Sequence, residues 1–105
     1  MKFISAFLFL FLSFQSVADT QKFCGPIDTF RIWANGNDTY GIWVEYEENP
    51  SLCPGGFYLK HDSNNKDYVM SFLLAEKAQN NRVCIQAVTS SMNGSRCRIN
   101  YVYNP

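Results

Sequence analysis

The chain has 105 residues, enough for one domain, and nine Lys and Arg balance nine Asp and Glu. A neutral surface argues against nucleic-acid binding, which rests on clustered Lys and Arg, and against electrostatic adhesion to anionic lipid. At this size a single hydrophobic core is marginal, so covalent reinforcement is expected.

Met1 and Lys2 open the chain, and "FISAFLFLFLSF" (residues 3–14) is almost continuously apolar. Ser16, Val17 and Ala18 then place small residues two apart, as a signal peptidase needs. These features predict a signal peptide over residues 1–18, and export of one domain, 19–105, to the periplasm or the medium. The apolar run is too short to span a roughly 30 Å hydrocarbon core, so no membrane insertion is expected. Loss of Lys2 leaves a net charge of −1.

Residues 27–34, "IDTFRIWA", alternate: Phe30, Ile32 and Ala34 on one face, Thr29, Arg31 and Trp33 on the other. That is the pattern of a half-buried strand. "NGNDT" (35–39) is a turn of residues that tolerate φ > 0. "YGIWVEY" (40–46) alternates again, with Tyr40, Ile42, Val44 and Tyr46 together, so the two strands form a hairpin. "EENPSLCPGG" (47–56) is a loop, since its prolines and glycines bar regular structure. "FYLKH" (57–61) is a third strand. "DSNN" (62–65) breaks it and supplies an N-cap, Asn64 or Asn65, for a helix that Asn80 and Asn81 end, one of them left-handed. "RVCIQAV" (82–88) is a fourth strand, "TSSMNGS" (89–95) a turn and "RCRINYVY" (96–103) a fifth strand. The order β-β-β-α-β-β is that of the OB-fold, a five-stranded Greek-key barrel. A flat sheet crossed by one helix is the competing arrangement.

All four cysteines, Cys24, Cys53, Cys84 and Cys97, fall in the exported part. An even count in a small exported chain predicts two disulfides, with three connectivities open. No two cysteines have metal-ligand spacing and His61 has no partner histidine, so neither a metal nor a cofactor is expected.

The helix is unusual. Val69, Met70, Phe72, Leu73, Leu74, Ala75 and Ala78 spread round the whole circumference, whereas a helix capping a barrel needs about a third of it apolar. The remaining sides must meet a second subunit, the 47–56 loop folded over them, or a foreign partner.

Trp33 and Trp43 fall on the outward face of the hairpin. If Ala34 pairs with Tyr40, Arg31 opposes Trp43, a cross-strand cation–π pair worth about 0.5–1 kcal/mol. Two exposed tryptophans on one hairpin suit a sugar platform or a protein interface. Arg96 and Arg98 flank Cys97 on one outward face, an arrangement open to an anionic sugar. His61 beside Asp62 offers an acid–base pair only in sequence, since strand neighbours point to opposite faces. No nucleophile arrangement accompanies them, so no catalytic residues and no enzyme are expected. Glu45, Glu47 and Glu48 form an acidic cluster, more in keeping with a solvated edge than with a cation site. The Asn37 sequon marks an exposed turn.

Cys24 before the first strand, with Cys84 in the "NRVCIQ" strand after the helix, resembles the layout of the B subunits of heat-labile enterotoxin and cholera toxin. "SFLLAEKAQNNRVCIQ" also resembles the helix-then-strand segment of subtilase-type and pertussis-type toxin B subunits. The chain as a whole is similar to small exported gammaproteobacterial proteins of unknown function with a "CPGGFYLK" core. The resemblance implies an OB barrel and a Cys24–Cys84 bridge, and with it Cys53–Cys97, since the third and fifth strands of such a barrel are parallel neighbours. It implies a ring of subunits lined by the helix, with Met70, Leu74, Lys77 and Ala78 at the interface. The glycan-contacting loops of the toxins have no counterpart here. The expectation is an exported, toxin-B-subunit-like binding module, self-assembling and glycan-binding, with Arg31, Trp33, Trp43, Arg96 and Arg98 as binding residues. The alternative is a monomer that binds or inhibits another protein.

Overall fold

The computed structural model describes residues 19–34 and 40–105. Residues 1–18, where a signal peptide is predicted, and residues 35–39, where a turn with the sequon is predicted, lie outside the described residues. The elements run β1 (Thr20–Ile32), β2 (Tyr40–Tyr46), β3 (Phe57–Lys60), α1 (Lys66–Ala78), β4 (Arg82–Asn93) and β5 (Arg96–Tyr103). The sheet closes into a barrel in the order β1-β2-β3-β5-β4, with β3 and β5 parallel and the other neighbours antiparallel. This is the OB-like arrangement expected from the element order, not a flat sheet.

Closure depends on a first strand that starts at Thr20, seven residues before the alternating segment. Its first half pairs with β4, from Thr20 opposite Val88 to Pro26 opposite Arg82. Its second half pairs with β2, from Ile27 opposite Tyr46 to Ile32 opposite Ile42. Gly25 and Pro26 stand where the strand changes partner. There the proline's missing N–H costs the ladder little, and its carbonyl accepts the Glu47 amide at 3.0 Å. Similarly, β4 runs to Asn93, so most of the predicted 89–95 turn is strand, and Gly94 turns with φ +65°.

Inward residues of every strand form the core, including Ile27, Val44, Phe57, Ile85 and Ile99. Tyr46 is buried with them, its hydroxyl bridging the Phe23 and Val83 carbonyls at 2.8 and 2.9 Å. It thereby ties β2 to both β1 and β4.

From α1, Leu73 is fully buried and Val69, Met70 and Phe72 pack around it against the core. Burying one leucine contributes about 1.5–3 kcal/mol. The N-cap is Asn65, without a side-chain cap bond. At the other end Asn80 is left-handed at φ 56°. The Asn80 amide donates to the Lys77 carbonyl and the Asn81 amide to the Glu76 carbonyl, both at 3.0 Å, the Schellman pattern. Among the described residues no helix is long and apolar enough to cross a membrane.

The two disulfides are Cys24–Cys84 and Cys53–Cys97. The first joins directly opposed residues of β1 and β4. The second pins the 47–56 loop to the start of β5.

Candidate functional site

Outside the barrel, β1, β2 and β3 present a row of opposed residues: Arg31, Trp43 and Tyr58, with Arg98 next in line on β5. The outward side of the β1–β2 hairpin is thus where alternation predicts it. Arg31 opposes Trp43 in register, and its guanidinium carbon lies 4.6 Å from the Trp43 ring centroid and 5.7 Å from that of Trp33. The two indoles are 5.7 Å apart and tilted by 30°. Both are half-buried.

One member of this face was hidden from simple alternation. Tyr40, assigned by period to the core side with Ile42, lies outside. Its ring is 5.2 Å from Trp33 and 5.4 Å from Tyr58. The cause is a break in the β2–β3 register: Tyr40 opposes Lys60 and Ile42 opposes Leu59, leaving Gly41 as the extra residue. One inserted residue reverses the side to which its neighbour points. Only glycine fits there, because a Cβ on Gly41 would stand 2.7 Å from the His61 Cα. The glycine inside a strand pattern is the signal that marks such a bulge.

Arg96, which alternation places on an outward face, crosses from β5 to lie over β2. Its guanidinium carbon is 3.6 Å from the Trp43 ring centroid and 5.4 Å from that of Tyr40, closer to Trp43 than Arg31 is. Gly55 and Gly56 keep the path clear. A Cβ on Gly55 would meet the Arg96 Cγ at 3.2 Å, and Gly56, at φ +94°, would press a Cβ on the Val44 carbonyl. The Gly55 amide donates to the Ser95 carbonyl, and the Trp43 Nε1–H donates to the Gly55 carbonyl, both at 2.9 Å. The "CPGG" turn thus locks the indole and seats the arginine above it. Arg96 Nη1 donates to the Tyr40 hydroxyl at 3.4 Å, while its Nε is buried without a hydrogen-bond partner. The Tyr40 hydroxyl donates to Asn93 Oδ1 at 3.0 Å.

Arg31, Trp33, Trp43 and Arg96 therefore meet. Arg98 does not join them: Tyr58 stands between it and Trp43, and it lines a cleft with Lys60, Asn64 and Asn65. Among the described residues neither Arg31 nor Arg96 has a carboxylate partner. At the end of β1, next to the connection into β2, Ile32, assigned to the buried face, is 51% exposed, because the strand has run past the core. With Trp33, Met70 and His61 it lines a small hollow of about 160 Å³.

The residues assigned to a subunit interface divide. Met70 packs on the core, Lys77 is half-buried, Ala78 is exposed and Leu74 is 44% exposed. The 47–56 loop does not bury that side of the helix. It is fastened instead to Cys97, Ser95 and Trp43, and Asn49 Oδ1 accepts the Tyr46 amide at 2.9 Å. Its own Leu52 remains 45% exposed. Glu45 accepts from Asn49 Nδ2 at 3.3 Å, and Glu47 and Glu48 are solvated. Comparison of the chain with protein-family models, with curated proteins and with solved structures returns no match.

Proposed function

We propose that this chain is an exported, non-enzymatic binding module of the toxin-B-subunit type. It binds glycans on the outward face formed by Arg31, Trp33, Tyr40, Trp43 and Arg96, and self-assembles through the outer side of α1. The observation that carries the reading is that face: two indoles and a phenol gathered on one side of a rigid barrel and flanked by guanidiniums. Flat aromatic surfaces with a few placed polar groups are what saccharide and protein ligands need. The uncovered helix side, with Leu74 and Ala78, supports assembly, since large apolar patches are rare on monomers. Several weak sites on one ring would add through avidity.

Light scattering of the oxidised exported chain at micromolar concentration tests assembly, and an array of neutral and acidic oligosaccharides tests binding. A mass near five subunits with saccharide binding is the expected result. A stable single-subunit mass with no glycan bound would overturn the reading. It would favour the second one, a monomer that binds another protein through the Trp33/Trp43 hairpin, for which the exposed Ile32 beside Trp33 speaks.

A further inference from the structure

We propose that the Cys24–Cys84 bridge is a redox latch on the barrel seam: reduction by a dithiol frees the first half of β1 from β4 and leaves the rest of the barrel folded. The inference is independent of the glycan-binding reading. The bridge joins directly opposed residues in the ladder that closes the barrel, Thr20–Pro26 against Arg82–Val88. Burial holds that half-strand only weakly. None of the residues from Thr20 to Cys24 is buried, and of them Phe23 alone packs on the core, in part. Beyond the ladder, its carbonyls accept from Thr89 at Asp19, from Tyr46 at Phe23 and from Arg82 at Cys24.

Past Pro26 the strand is fixed differently. Ile27 is buried, the ladder passes to β2, and the Pro26 carbonyl is held by the Glu47 amide. Gly25 and Pro26 are therefore where a released segment stops fraying. Segments with few buried apolar contacts are the ones that open locally, and a redox change acts as a switch when it biases such an element. β4 keeps β5 as its other neighbour, so release bares the Arg82–Val88 edge without unfolding the strand.

The route of attack lies on one side of the bridge. Cys24 is exposed and lines an open cleft with Pro26, Glu47, Glu48 and Arg82, while Cys84 is fully buried. A thiolate of the dithiol attacks Cys24 Sγ. The S–S bond breaks, and its electron pair leaves on Cys84 Sγ, which takes a proton from water. The second thiol, as thiolate, attacks the mixed disulfide; Cys24 leaves as thiolate and is protonated in turn, and the dithiol departs as a disulfide. Two electrons and two protons pass from the dithiol to the chain. Cys53 and Cys97, both fully buried, offer a thiolate no such approach and stay joined.

The test treats the oxidised exported chain with dithiothreitol and follows amide hydrogen exchange residue by residue. Cys24–Cys84 alone should be reduced. The amides that pair β1 with β4, within residues 20–26 and 82–88, should then exchange at least about tenfold faster, and those of 40–46 and 57–60 at their former rate. Reoxidation should restore the seam. Cys24→Ser with Cys84→Ser should show the fast seam without dithiothreitol and no further response to it; if that variant does not fold, the reduced native chain carries the test. A seam still protected after reduction overturns the latch, since the ladder alone then holds it. Exchange that rises together in every strand overturns it too, and makes the bridge a support of the whole fold. So does a bridge that resists dithiothreitol until the protein unfolds.

Discussion

Tyr46 shows how one side chain converts sequence into constraint. Strand alternation places it inward with Ile42 and Val44, and it lies inward, but a buried phenol must satisfy its hydroxyl. It does so on two carbonyls from strands far apart in sequence, Phe23 and Val83. Burial holds its ionisation well above the ordinary tyrosine range, with smaller opposing effects from the Ile85 backbone and the Arg82 charge. The unfolded phenol releases its proton near pH 10 while the folded one keeps it. Above about pH 10 the unfolded state therefore binds fewer protons, and stability falls as pH rises. The urea midpoint should drop between about pH 9 and 11, and drop less in Tyr46→Phe. At neutral pH the same variant should lose about 1–3 kcal/mol through the unpaired carbonyls. Parallel pH profiles for the two proteins would remove Tyr46 as the cause. The partners of Tyr46 and the outward swing of Tyr40 were not legible in the sequence. Both depend on which strands lie alongside, and in the second case on a bulge whose only local mark is Gly41.

At the scale of the element, α1 was legible in its limits and not in its facing. It starts after Asn65, and the left-handed Asn80 ends it because C-terminal capping is local chemistry, decided within a few residues. Its facing is not local, since an apolar residue stands on nearly every side and periodicity cannot choose among them. The barrel chooses Leu73 and leaves Leu74 outside. Leu73→Ala should cost about 2–5 kcal/mol as a buried truncation, read from the urea midpoint. Leu74→Glu should cost no more than about 0.5 kcal/mol, as surface changes do, while lowering the mass seen by light scattering to one subunit. Strong destabilisation by Leu74→Glu in a protein already monomeric would mean that the helix side is covered within the subunit. β1 gives the converse case. Its N-terminal half escaped the alternation pattern because Gly25 and Pro26 interrupt it, yet β4 recruits Thr20–Pro26 as the seam that closes the barrel.

For the molecule as a whole, two bridges compensate for a small core. Closing a separation of 44 residues, Cys53–Cys97 contributes about 4 kcal/mol in the chain-entropy model, so Cys53→Ser with Cys97→Ser should lower stability by that order in denaturant. The bridges differ in access: Cys53, Cys97 and Cys84 are fully buried, whereas Cys24 is exposed. An attacking thiolate needs a path to a sulfur. Limited dithiothreitol on the folded protein, followed by alkylation and mass analysis, should therefore label Cys24 and Cys84 first; labelling of all four in step would show that the bridges open only with global unfolding. The sequence by itself determined the element order, the presence of two disulfides, the helix limits and the cross-strand meeting of Arg31 with Trp43. These follow from period, turn chemistry and cysteine count, which act over short stretches of chain. Only the tertiary structure decided that Arg96 rather than Arg98 completes the outer face, and that the "CPGG" loop serves that face rather than the helix. Both outcomes turn on contacts between segments some forty residues apart, where a parallel β3–β5 pairing and two glycines without side chains open one path and close another.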